Sequence, residues 1–117
     1  MHELGIMASA LDAVHRRAAR EGAARVERIV LRIGALAGVD VGALRFAYEA
    51  LAPGSVAEGA ALDIEEVPAR AWCRRCDAEF AAGRGLIFQC PFCQEYSGEI
   101  RAGRELGIAR LEFTLPS

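Results

Sequence analysis

Four cysteines in two pairs, Cys73-Arg-Arg-Cys76 and Cys90-Pro-Phe-Cys93, constrain this chain more than any other feature. Two residues between paired cysteines let both sulfurs of a tight turn face one ion. Two such knuckles make a tetrahedral thiolate site with the spacing of a structural zinc ribbon. All four ligand positions come from the protein, so no place is left for an activated water. The expected zinc holds shape and does no chemistry. Four thiolates and one divalent ion leave a negative site, and Arg74 and Arg75 lie beside it in sequence. Three other uses of the cysteines compete. Disulfides do not suit a reducing compartment. A thioredoxin-type dithiol uses one exposed pair at a helix start, whereas two pairs lie here in a turn-rich segment. A rubredoxin-like iron site shares the spacing, but its knuckles usually carry glycine after the second cysteine, where this chain has Asp77 and Gln94.

At 117 residues the chain is one domain, or one domain with a small insert. A net charge of −2 argues against nucleic-acid binding through a broad basic face. No apolar run is long enough to span a bilayer, and the N-terminus lacks the basic-then-apolar pattern of a signal peptide. The expected location is the cytoplasm, where thiols stay reduced.

Periodicity predicts a helix over 4–20, with Leu4, Met7, Leu11, Val14 and Ala18 as its apolar stripe and Gly22 as its stop. A strand follows over 25–33, with Ile29, Leu31 and Ile33 on one face and Arg28, Val30 and Arg32 on the other. Asp40 reads as the N-cap of a helix over 41–51. A second strand covers about 61–67, and Leu106, Ile108, Leu111 and Phe113 mark a last strand. The expected fold is α+β: a small mixed three-stranded sheet with two helices, into which a zinc-ribbon-like module is inserted. The domain limits are 1–70 with 99–117 for the α/β part, and 71–98 for the module.

The N-terminal Met1-His2-Glu3 offers a second, different metal site. The Met1 amine and the His2 amide close one chelate ring, and that amide and the His2 imidazole close another. The Glu3 amide can complete a plane, or its carboxylate can approach from outside. A nitrogen-rich, planar set suits Ni(II) or Cu(II). The site requires that nothing precede Met1.

Taken together, Met1-His2-Glu3, the stretch Ile33-Gly34-Ala-Leu-Ala-Gly-Val-Asp40, Leu44-Arg-Phe-Ala-Tyr-Glu49, the two cysteine knuckles and Gly103-Arg-Glu-Leu106 resemble the hydrogenase nickel-incorporation proteins HypA/HybF. The likeness runs through nearly the whole chain in the same order. It implies a metallochaperone that delivers Ni(II) to the large subunit of [NiFe]-hydrogenase. The implied partners are a HypB-type GTPase and, in some organisms, urease maturation proteins. It maps nickel onto Met1, His2 and Glu3, and structural zinc onto Cys73, Cys76, Cys90 and Cys93. The chain departs from the family in following Cys93 with Gln94-Glu95-Tyr96-Ser97-Gly98, where Gly-Ser is common, and it lacks the histidines that some members carry beside the cysteines.

The remaining candidates have plainer readings. His15 is a boundary histidine, Asp40 a helix cap, Trp72 a packing residue, and Arg16, Arg17 and Arg20 a solvated face. No nucleophile–base pair or phosphate loop is present, so no catalysed reaction is expected. A monomer or weak homodimer, with no nucleic acid or membrane partner, completes the expectation. The rival functions are a zinc-ribbon interaction module without transported metal and a rubredoxin-like electron carrier.

Overall fold

The computed structural model describes residues 2–116. Its elements run α1 His2–Glu21, β1 Arg25–Gly34, α2 Val41–Leu51, β2 Ala61–Val67, β3 Arg70–Cys73, β4 Ala78–Ala81, β5 Ile100–Ala102 and β6 Leu106–Thr114. The strands form two three-stranded sheets, ordered β2-β1-β6 and β4-β3-β5. Two compact units result. The second comprises Ile33–Gly38 and Glu66–Leu106, and the first takes the rest of the described chain.

In the first unit α1 buries Met7, Leu11, Val14 and Ala18, the three- and four-residue stripe. Leu4 falls outside it at 54% exposure. The helix ends in a Schellman turn. Gly22 takes a φ of 64°, its N–H bonds Ala19 O at 3.2 Å, and the Ala23 N–H bonds Ala18 O at 2.9 Å. Glycine adopts that left-handed conformation without a Cβ penalty. At the other helix, the Asp40 side chain accepts from the Ala43 N–H at 3.0 Å and caps α2. α2 buries Leu44, Ala47 and Tyr48 and packs against α1. The Tyr48 hydroxyl donates to Ala60 O at 2.7 Å, tying α2 to the loop before β2. An isolated helix is marginal in water. Full burial of a side chain such as Met7 or Leu44 stabilises by about 1.5–3 kcal/mol, so packing rather than propensity fixes the pair.

The first sheet is mixed. Arg28 pairs with Asp63 at 2.7 Å and Arg32 with Glu65 at 3.0 Å, so β1 and β2 advance together. The bonds Ala24 N–H to Thr114 O and Gly34 N–H to Glu105 O, both 2.7 Å, run β6 the opposite way. Ile29, Leu31 and Ile33 are buried, as alternation predicts. Val30 is buried as well, at 1% exposure, although it alternates with them. Its neighbours two residues away, Arg28 and Arg32, are held in ion pairs with Asp63 and Glu65 of β2.

In the second unit β3 pairs antiparallel with β4, from Arg70 opposite Ala81 to Cys73 opposite Ala78. β3 also pairs antiparallel with β5, with an irregularity between Arg70 and Ala71. The core is Ala71, Cys73, Phe80 and Cys90, with Cys76, Phe88, Cys93 and Ile100 packed around it. Two glycines decide a close crossing in this unit. A Cβ on Gly34 would overlap the Gly103 carbonyl, and one on Gly103, at φ 118°, would lie 2.9 Å from the Ala69 Cα. The crossing is stitched by Leu36 N–H to Gly103 O at 2.6 Å and Ala35 N–H to Val67 O at 2.9 Å. Because backbone and not a flexible side chain meets the added methyl, Gly34→Ala is expected to destabilise by about 3 kcal/mol. A thermal melt followed by circular dichroism should show a midpoint lower by roughly 10 °C or more. Gly5→Ala, at a helical position with open space, should leave the midpoint level or raise it.

Candidate metal centre

The β3–β4 hairpin sets Cys73 at the end of β3 and Cys76 in the turn, where the Cys76 N–H approaches Cys73 Sγ at 3.4 Å. The second knuckle is closed by Gln94 N–H to Cys90 O and Cys90 N–H to Glu95 O, each 2.8 Å. Asp77 and Gln94, the residues after each second cysteine, take positive φ values of 54° and 67°. They adopt the conformation that glycine supplies in other knuckles.

The four sulfurs lie within 4.8 Å of one another. Cys73 Sγ is 3.5 Å from Cys93 Sγ, and Cys90 Sγ is 3.8 Å from Cys76 Sγ. A tetrahedron with metal–sulfur bonds of about 2.3 Å has edges of about 3.8 Å. The spacing therefore fits one tetrahedral ion, and all four cysteines are free thiols. The donor set is thiolate only, which favours zinc or iron over hard cations. Cys73 and Cys90 are buried, and Cys76 and Cys93 are half-exposed, so an ion can enter from one side. The thiols are inequivalent. The Cys93 N–H pulls Cys90 down to about 7, whereas hydrogen bonding to the Cys93 sulfur, followed by burial, pushes Cys76 up to about 12.

Arg74 and Arg75 bond carboxylates and not sulfur: Arg74 to Glu99 at 2.7 Å and Arg75 to Glu95 at 3.3 Å. Within the same unit the Arg101 guanidinium sits 4.5 Å over the Trp72 ring, and the Ser97 hydroxyl donates to Trp72 O at 2.6 Å. No local sequence signal marks Ser97 or Arg101 for these contacts, because both partners are distant in sequence.

At the other candidate site Met1 lies outside the described residues. His2 is exposed and opens α1. The N–H groups of a first helical turn have no acceptor inside the helix. Glu3 Oε2 accepts from the Asp40 N–H at 2.9 Å, and Asp40 Oδ1 in turn accepts from Ala43. The Asp40 N–H, and then the Glu3 N–H, hold the Glu3 carboxyl below the ordinary glutamate range. The sequence gives no hint of this bond, since its partners are separated by 37 positions. His15 is exposed and lines a groove of about 400 Å³ with Leu11, Asp12, Leu51 and Val56. Among the described residues it belongs to no cluster able to hold a metal ion; the four cysteines do.

A small α+β protein with a mixed sheet, two helices and a four-cysteine metal site of zinc-ribbon type is thus defined. Residues 1–113 match the family model described as hydrogenase/urease nickel incorporation, metallochaperone, hypA. Two relatives named hydrogenase maturation factor HypA come from Azotobacter chroococcum mcd 1 and Chloroflexus aurantiacus. They are 42% and 43% identical over 112 residues, covering 96% of this chain and 98% of each relative. A solution structure of HypA protein superposes with a TM-score of 0.72 at 26% identity, covering 99% of this chain and 98% of that one. The chain belongs to the HypA family of nickel metallochaperones for hydrogenase maturation.

Two measurements follow from the geometry. Metal binding at the cysteines must displace thiol protons, so affinity falls as pH falls, with Cys76 holding its proton longest. Titration with zinc in weakly buffered solution should release protons, and Cys90→Ser should lose the bound ion. For Glu3, a lowered carboxyl pKa means that its bond to Asp40 is intact above the ordinary glutamate range and is lost as pH falls through the lower folded value. The Asp40 amide resonance should titrate with a midpoint below that of a free glutamate, and a midpoint at or above it would remove Glu3 from this role.

Proposed function

We propose that this chain captures Ni(II) at Met1, His2 and Glu3 and hands it to the large subunit of [NiFe]-hydrogenase, while zinc at Cys73, Cys76, Cys90 and Cys93 holds the 71–98 module. The observation that carries this reading is the placement of His2 and Glu3 in the first turn of α1. Amides there give up no helical hydrogen bond when a metal replaces their protons. The positive end of the helix dipole also favours the resulting amidate anions. Glu3 keeps its carboxylate on the Asp40 N–H, so its backbone nitrogen can complete the plane while its side chain holds the terminus to the cap of α2.

Losing amide protons to the metal costs free energy, so nickel affinity is moderate and falls with pH. Ligands that include the exposed His2 can leave one at a time as a recipient takes over. This is carrier behaviour, and no reaction is catalysed. A HypB-type GTPase, urease maturation proteins in some organisms, and a cytoplasmic location belong to the same proposal.

One residue added before Met1 is expected to abolish nickel binding and leave the cysteine-bound metal in place. His2→Ala should behave likewise. Calorimetry with nickel, together with metal analysis of the same samples, checks both. Unchanged nickel affinity in the extended protein would defeat the N-terminal site.

A further inference from the structure

The two close sulfur contacts of the second unit run between its knuckles. Cys73 Sγ lies 3.5 Å from Cys93 Sγ, and Cys90 Sγ lies 3.8 Å from Cys76 Sγ. The partners stand 20 and 14 positions apart in the chain, and the two contacts use all four free thiols once each. Each contact also joins unlike members. Cys73 and Cys90 are buried, whereas Cys93 and Cys76 are half-exposed. An accessible sulfur touching a sheltered one has the arrangement of a thiol that meets an oxidant and a thiol that resolves the product.

We propose that Cys93 and Cys76 are hydroperoxide-sensitive thiols, and that oxidation exchanges the metal for two cross-knuckle disulfides, Cys73–Cys93 and Cys76–Cys90, an inference that rests on reading the cluster as a zinc site. The accessible sulfur attacks one oxygen of the hydroperoxide. The O–O bond breaks, the sulfur keeps the hydroxyl as a sulfenic acid, and the other oxygen leaves with a proton as an alcohol. The buried partner then attacks the sulfenic sulfur. An S–S bond forms, the S–O bond breaks, and hydroxide takes a proton and leaves as water. Each pair of sulfurs loses two electrons, which reduce one O–O bond. One filled site, two hydroperoxides and four protons thus give two disulfides, one Zn(II), two alcohols and two waters. Sulfurs joined in a disulfide are no longer thiolate ligands.

The pairing decides what oxidation does to the module. A bridge within Cys73–Cys76 or within Cys90–Cys93 would close a short turn and leave the link between the knuckles unreplaced. Cross-knuckle bridges span the same gap as the ion and close longer loops, which removes more freedom from the unfolded chain. The module therefore gives up its ion and keeps its fold, and a dithiol restores the four thiols. Where thiols are kept reduced, such bridges are transient, as suits a sensor and not a scaffold.

The test uses the full parent chain with zinc bound. Metal analysis before oxidation checks the zinc reading by itself, because the disulfide map is read whichever ion was present. On titration with tert-butyl hydroperoxide, a chromogenic indicator should report one zinc lost for two equivalents of oxidant. Trypsin cuts after Arg74 and Arg75, and chymotrypsin after Phe92, so after alkylation a digest puts each cysteine on its own peptide. Mass spectrometry should then find Cys73 joined to Cys93 and Cys76 to Cys90. Dimedone present during oxidation should label Cys93 and Cys76 and spare Cys73 and Cys90. The amide spectrum of 71–98 should stay dispersed after oxidation and collapse when a chelator removes zinc under reducing conditions. Bridges within the knuckles, dimedone on the buried pair, zinc retained at excess hydroperoxide, or a module that collapses equally in both treatments would overturn the proposal.

Discussion

The four sulfurs are the condition on which the second unit stands. The cluster buried at its β4-β3-β5 sheet is Ala71, Cys73, Phe80 and Cys90, so half of those side chains are metal ligands and Phe80 is the one large hydrophobe among the four. Strands of three or four residues over so small a core do not supply enough buried apolar area to hold a sheet unaided. Sulfurs 3.5 and 3.8 Å apart would repel as thiolates without an ion between them. A cation converts that repulsion into the strongest cross-link in the unit, joining the β3–β4 hairpin to the 90–93 knuckle. The left-handed Asp77 and Gln94 fit the same account. Each non-glycine residue in that conformation costs about 1–2 kcal/mol, a cost the bound ion can offset because the turn is what lets both sulfurs of a knuckle face it.

Where the chain has a long period, the sequence was sufficient. The helix over 41–51 and the strand over 61–67 coincide with α2 and β2, because eleven and seven residues carry several repeats of their pattern and Asp40 marks the cap. The cysteine site was equally legible, since its ligands come in local pairs whose spacing is itself the geometry. β3, β4 and β5 were not seen, being too short for alternation to register. Val30 was placed with the arginines by alternation, and its burial depends on what β2 and β6 bring alongside it. The crossing of Gly34 and Gly103 and the bond from Asp40 to Glu3 join positions far apart in the chain. A single sequence holds both partners of such a contact but no local sign that they meet.

The proposed N-terminal nickel site and the thiolate site would exchange their ions at different rates, and the contrast follows from ligand and exposure. The thiolate site is closed by four protein ligands, and two of them are buried. Displacing its ion means opening the core of a unit, so the ion stays. The N-terminal ligands proposed are the exposed His2 and amides of the first turn of α1. Here the Glu3 carboxylate accepts from the Asp40 N–H. That bond suits the carrier role proposed for this terminus. It orders the first turn enough to lower the entropy lost on capture, yet it is weak and solvent-exposed, so it does not resist a recipient that pulls the terminus away.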